Sequence, residues 1–139
     1  MIARSSEQRN LYKGSPPRPW VRLSLISLDG TIHDVELLVD TGNPFAIIIS
    51  QANMAWLKQG DFPDTSTNFG TLEGGWLHVD IPEVGLDQDI VAYASDAVVT
   101  AAKASSPDFG GLAGLPLLRM FEYGGDANCF WISGTQTLS

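Results

Sequence analysis

Residues 36–50 read Glu-Leu-Leu-Val-Asp-Thr-Gly-Asn-Pro-Phe-Ala-Ile-Ile-Ile-Ser. An apolar run, Leu37–Val39, ends in Asp40-Thr41-Gly42, and a second apolar run, Phe45–Ile49, follows almost at once. Short aliphatic runs on either side of a tight polar turn predict two strands that both enter a core. Asp and Gly are also common turn residues, so the motif alone fits a purely structural turn. A carboxylate at the edge of an apolar interior is costly, however, and therefore needs a reason.

A second informative segment, residues 110–121, lies near the C-terminus and reads Gly-Gly-Leu-Ala-Gly-Leu-Pro-Leu-Leu-Arg-Met-Phe. Leu112-Ala113-Gly114 leads into a run whose apolar positions suit one face of a short helix. Pro116 falls in the first turn of that helix, where its missing N–H costs nothing. The apolar positions of the run are Leu115, Leu117, Leu118 and Phe121.

The two segments together resemble the retropepsin-like aspartic proteases, in which an apolar strand ends in Asp-Thr-Gly and a hydrophobic-hydrophobic-Gly element precedes a short helix near the domain's end. The resemblance spans about residues 21–132. It implies an all-β fold, a closed acid-protease barrel with one or two short helices, over residues 20–139. Residues 1–19 are polar and contain Pro16-Pro17, so we predict a flexible N-terminal arm there.

The clearest local signal is a hairpin, because Asp29-Gly30 separates the alternating runs Trp20–Leu28 and Thr31–Val39. Ser50 is a suitable N-cap for a helix over Gln51–Gln59, which Gly60 would end. Further strands are predicted at residues 76–81, 89–94 and 128–132, with a possible short strand at 96–100 and a loop at 101–108.

Residues 61–75 are rich in Asp, Thr, Ser, Asn and Gly and fit either an ordinary surface loop or a mobile hairpin tip. We favour the hairpin, because the family covers its cleft with such a flap. Its glycines, Gly70, Gly74 and Gly75, would supply the conformational freedom.

The resemblance also assigns roles. Asp40 is catalytic, the Thr41 hydroxyl bonds across a dimer, and Gly42 lets the backbone approach beneath the carboxylates. Asn43 stands where the family commonly has Ala or Ser, close to substrate, which leaves the specificity open. The other expected substrate-binding residues are Phe69, Gly70, Thr71, Leu72, Gly74, Gly75, Leu112 and Ala113.

The chemistry requires two carboxylates that share one proton and activate a water between them, with no cofactor. The chain contains one Asp-Thr-Gly, so Asp40 must meet its copy in a homodimer that hydrolyses peptide bonds. Two alternatives remain open. The chain could be a non-catalytic dimeric module that binds peptides or mediates assembly, or an unrelated small β-barrel in which the motif is only a turn.

Length and composition limit which other structural and functional classes the protein can belong to. A chain of 139 residues suits one domain, and its net charge of −8 argues against nucleic-acid binding. The lone Cys129 excludes an internal disulfide, and His78 with Asp80 supplies too few ligands for a metal site. No apolar run approaches the roughly 18 residues of a membrane span and no signal sequence is visible, so we expect a cytoplasmic protein.

Overall fold

The computed structural model of the chain describes residues 5–68 and 70–135. Within them lie ten strands and three short α-helices, with a 3₁₀ turn at Pro82–Val84. The strands are β1 (Ser5–Leu11), β2 (Trp20–Ile26), β3 (Ile32–Asp40), β4 (Ile47–Ile49), β5 (Gly60–Thr67), β6 (Gly70–Ile81), β7 (Leu86–Ala94), β8 (Phe109–Gly114), β9 (Glu122–Gly125) and β10 (Cys129–Thr135). The helices are α1 (Gln51–Leu57), α2 (Asp96–Lys103) and α3 (Leu115–Leu118).

Six strands close into a barrel in the order β2-β3-β8-β4-β7-β6, and a pairing between β2 and β6 completes the ring. Strand β5 pairs with β6 outside this ring, and β1, β10 and β9 form a separate three-stranded sheet. The pairs β3–β8 and β4–β7 are parallel, whereas the other pairs are antiparallel. The prediction of an all-β closed barrel with short helices is confirmed, although the described residues contain three α-helices instead of one or two.

The barrel interior is filled by alternate residues of its strands, as a period of two requires. Leu23 and Leu25 of β2 and Leu37 of β3 are at most 2% exposed. Ile47 and Ile49 of β4 are fully buried, as are the inward residues of β6. Burying such a side chain contributes about 1.5–3 kcal/mol, so the two aliphatic runs that flank Asp40 are held firmly in the core.

The predicted β2–β3 hairpin is confirmed, with its turn at Asp29-Gly30. Asp29 Oδ1 accepts hydrogen bonds from the Ser27 hydroxyl and, at 3.0 Å, from the Thr31 N–H. These bonds, that of Ser27 first, lower the pKa of Asp29 to about 2. Gly30 has a φ of +87°, a backbone conformation that residues with a Cβ rarely adopt.

The prediction of a flexible arm is wrong for Ser5–Leu11, because these residues form β1 and pair with β10. Gln8 is only 4% exposed, and its amide donates to the Arg22 carbonyl and the Glu83 carboxylate at 2.8 Å. A strand whose buried position is a hydrogen-bonded Gln lacks the alternation of apolar residues that marks most strands.

The predicted short strand at residues 96–100 is also wrong, since Asp96–Lys103 form α2. The Ser95 hydroxyl accepts a hydrogen bond from the Val98 N–H at 3.2 Å and caps the helix. Its buried residues are Val98, Val99 and Ala102. Val99 and Ala102 follow Val98 by one and four positions, a spacing that places all three on one face of a helix. The cap at Ser95 and this helical spacing outweigh the strand preference of the β-branched Val98-Val99 pair.

Two smaller predictions fail at helix ends. Helix α1 is capped by Ser50 as predicted, but it ends at Leu57 with Lys58 as its C-cap, and Gly60 begins β5. Residues 101–103, predicted as loop, are the last turn of α2. In the described residues no helix has the length and apolar character needed to cross a membrane.

Candidate active site

Asp40 is the last residue of β3, and its side chain is exposed at the rim of the barrel. Strand β8 lies between β3 and β4, so that Ala113 is paired with Val39 on one side and with Ile47 on the other. The chain therefore leaves the barrel at Asp40 and returns at Ile47, and both ends of this excursion are supported by one central strand.

Hydrogen bonds within the excursion fix the position of the Asp40 carboxylate. Its Oδ1 accepts from the Gly42 N–H at 3.1 Å, and its carbonyl accepts from the Asn43 N–H at 3.1 Å. A Cβ on Gly42 would be 3.4 Å from Asp40 Oδ1, a close but permitted distance. Thr41 and Gly42 are exposed, so this part of the turn faces away from the core.

Asn43 is 7% exposed and anchors the second half of the turn. Its Oδ1 accepts from the Phe45 N–H at 3.1 Å, and its carbonyl accepts from the Leu115 N–H at 3.2 Å. Its Nδ2 is buried without a hydrogen-bond partner among the described residues. An unpaired buried amide N–H costs about 1–3 kcal/mol, so the turn carries an unsatisfied donor at Asn43.

An open cleft of about 920 Å³ lies next to the turn, and Asp40, Gly42, Asn43 and Phe45 line it. Apolar residues from β3, β4 and β8 also line it: Leu38, Val39, Ile48 and Leu112. Ala113 does not reach the cleft, because it is fully buried beneath the turn. An apolar cleft with few polar groups is the usual form of a binding site for a small molecule or a peptide.

The hairpin formed by β5 and β6 also lines the cleft. Its lining residues are Ser66 and Thr67 at the end of β5, Asn68 in the turn, and Leu72 of β6. Gly70, with a φ of +97°, begins β6 after the turn, and Thr71 is exposed on the hairpin surface. Phe69, an expected substrate-binding residue, lies outside the described residues.

Gly74 and Gly75, which were expected to loosen this hairpin, are buried within β6 and do not line the cleft. A Cβ on Gly75 would lie 2.7 Å from Met54 Sδ, and one on Gly74 would lie 2.7 Å from the Pro63 carbonyl oxygen. These glycines permit close packing of β6 against α1 and β5, which is a structural role.

Sequence reasoning missed one whole wall of the cleft. Helix α2 and the residues after it supply Ala97, Val98, Ala101, Ala102 and Ser105. Arg18, which the sequence placed in a flexible arm, completes this wall. The helical spacing of Val98, Val99 and Ala102 after Ser95 was a usable signal for α2, whereas no local pattern pointed to Arg18.

His78 is on the outer face of β6 and takes no part in the cleft. Its Nδ1 lies 2.8 Å from Asp89 Oδ1 and its Nε2 lies 2.5 Å from Asp87 Oδ1. Hydrogen bonds to Asp89 and then Asp87 raise the pKa of His78. Across residues 5–68 and 70–135, no group of three or more His, Cys, Asp or Glu side chains is arranged to hold a metal ion.

Comparisons with protein-family models, with curated proteins and with solved structures find no match to this chain.

Proposed function

We propose that the chain is an aspartic-type endopeptidase that works as a homodimer. The observation that carries the proposal is the placement of Asp40, an exposed carboxylate held by a hydrogen-bonded turn that lines a largely apolar cleft. Residues of the β5–β6 hairpin line the same cleft, as a flap over a bound peptide would. A peptide in the cleft would therefore contact both the Asp40 turn and the hairpin.

A second subunit is needed because the reaction uses two carboxylates. Of the described residues that line the cleft, Asp40 alone is acidic. Two like charges a few ångströms apart cannot both ionise, so a pair of Asp40 carboxylates would share one proton, as the pair does in aspartic proteases generally. The exposed Thr41 and Gly42 leave the turn open to a copy related by a two-fold axis.

Each residue then has a specific task. The ionised Asp40 takes a proton from the water that attacks the scissile carbonyl, and the protonated Asp40 of the partner polarises that carbonyl by a hydrogen bond. The proton that Asp40 took from the water then passes to the leaving amine. Gly42 fixes the Asp40 carboxylate through its N–H, and the Thr41 hydroxyl holds the two turns together.

The decisive comparison is between the wild type and Asp40→Asn, assayed for cleavage of a mixed peptide library between pH 4 and 7. We expect cleavage to fall at least about 10³-fold while sedimentation still detects the dimer. Asp80→Asn is the matched control, because Asp80 lies on β6 outside the cleft and should leave cleavage unchanged. Cleavage that survives in Asp40→Asn would refute the proposal, and a wild-type dimer that binds peptides without cleaving them would instead favour a binding module.

A further inference from the structure

Residues 13–18 form a turn that is fixed against the rest of the molecule. Lys13 and Arg18 exchange backbone hydrogen bonds of 3.0 and 2.8 Å, and the Ser15 N–H donates to the Ser105 carbonyl at 3.0 Å. Lys13 Nζ also forms ion pairs with Glu36 and, at 3.3 Å, with Asp108. Contacts at several points hold this turn against the loop that follows α2, so Arg18 projects from a fixed position.

That position is beside the end of β3. The Pro19 carbonyl accepts a hydrogen bond from the Val39 N–H at 3.0 Å, which places the residue before Pro19 next to the strand end that carries Asp40. Arg18 lines the same cleft as Asp40, together with Ala101 and Ser105 at the α2 wall. A peptide that extends along the cleft from Asp40 would therefore pass Arg18.

Arg18 is one of four described cations that form no ion pair with the chain, together with Arg22, Lys103 and Arg119, whereas Arg9, Lys13 and Lys58 each pair with a carboxylate. The exposed guanidinium of Arg18 has no hydrogen-bond or ion-pair partner among residues 5–68 and 70–135. Arg18 is also the only cation among the described cleft-lining residues. Five N–H donors in a planar fork, next to apolar walls, suit a carboxylate.

We propose that Arg18 is a specificity residue that binds a carboxylate side chain of the peptide, so that the cleft selects substrates with Asp or Glu at a position away from the scissile bond. The proposal rests on the proposed peptidase function and names the class of its substrates. The overall negative charge opposes such peptides only weakly at physiological salt, because charges beyond about 8 Å are largely screened. Direct contact with Arg18 therefore decides the preference.

The test uses pairs of peptides that differ only by Glu or Gln at each position around a mapped cleavage site. With wild-type protein, we expect one position at which the Glu peptide has about a fivefold higher kcat/KM, the effect of one partly exposed ion pair. Arg18→Gln should abolish that preference mainly through KM, and Arg18→Lys should restore part of it. The matched control is Arg22→Gln, because Arg22 is exposed on β2 outside the cleft and should keep the full preference.

Fluorescence anisotropy with Asp40→Asn protein separates this proposal from the catalytic one. It uses Glu and Gln versions of a labelled peptide selected for binding, so no cleavage site is needed. A Glu preference in binding that Arg18→Gln removes would support the role of Arg18 even if no variant cleaved peptides. Equal preferences in Arg18→Gln and wild type would overturn it while leaving catalysis by Asp40 intact. A loss of the dimer in Arg18→Gln, measured by sedimentation, would overturn it too, because Arg18 would then bind the second subunit.

Discussion

Gly114 and the Phe45 carbonyl oxygen approach so closely that a Cβ on Gly114 would lie 1.9 Å from that oxygen. The Gly114 N–H donates to the Ala46 carbonyl at 2.9 Å, and the next N–H, of Leu115, donates to Asn43. The end of β8 is therefore in backbone contact with the turn that carries Asp40. A side chain at position 114 would separate the turn from its support.

Gly114→Ala should therefore distort the Asp40 turn. We expect the free energy of unfolding to fall by about 1–3 kcal/mol, the usual cost of overpacking, and cleavage to fall further than the loss of folded protein explains. Chemical denaturation and kcat measured on the folded fraction test both effects. Gly60→Ala is the control, since a Cβ there meets no atom within 4 Å. An unchanged kcat in Gly114→Ala would show that β8 does not position the turn.

Asn43 gives a second test of the same turn. Asn43→Asp keeps an oxygen that can accept from the Phe45 N–H, but places a carboxylate at a site that is 7% exposed, close to Asp40. We expect a loss of at least about 2 kcal/mol in the free energy of unfolding at pH 7, because burying a carboxylate without a hydrogen-bonded cation costs more than is regained by removing the unpaired Nδ2. The loss should shrink toward pH 4, where the new carboxyl gains a proton. A loss that is independent of pH would indicate that shape, not charge, is disturbed.

The sequence was informative where apolar runs and turn residues coincide. The Asp29-Gly30 hairpin, the two strands around Asp40 and the capped helix at Ser50 are all read from such local signals. The wall of the cleft that α2 and Arg18 form could not be read from local signals, because it depends on contacts between residues far apart in the sequence. Arg18 is held at the site by two backbone hydrogen bonds, from the Val39 N–H to the Pro19 carbonyl and from the Ser15 N–H to the Ser105 carbonyl. These backbone contacts leave no mark on the local pattern of side chains.

Helix α2 forms that wall, and its cap should govern its stability. Ser95→Ala removes the acceptor for the Val98 N–H at a site that is 6% exposed, so we expect a loss of about 1 kcal/mol in the free energy of unfolding. Ser95→Thr keeps the hydroxyl and should recover most of the loss. Thermal denaturation of the three proteins measures the effect, and equal stabilities of the Ala and Thr variants would show that the cap contributes nothing.

The proposed mechanism also predicts the pH dependence of cleavage. A pair of carboxylates that must hold one shared proton is active only between its two protonation steps, so kcat/KM should follow a bell-shaped curve with its maximum on the acid side of neutrality. The profile should be measured at constant ionic strength, over a range in which circular dichroism confirms that the protein is folded. A rate that rises steadily through pH 7 would contradict a shared proton.

His78 predicts a separate pH effect, on stability alone. Its ring is 30% exposed between Asp87 and Asp89, and these bonds raise its pKa in the folded protein. The stabilisation is therefore complete below the unfolded pKa of about 6.5 and is lost as pH rises through the higher folded value. His78→Gln should lower the free energy of unfolding by up to about 1 kcal/mol at pH 5.5, and the gap should close in alkaline buffer. Replacing both carboxylates in the double variant Asp87→Asn, Asp89→Asn should remove this pH dependence and leave cleavage intact, because the cluster lies outside the cleft.

The opposite outcome is a difference in the free energy of unfolding between wild type and His78→Gln that persists unchanged to pH 9. It would mean that the ring stabilises β6 by packing and not by charge.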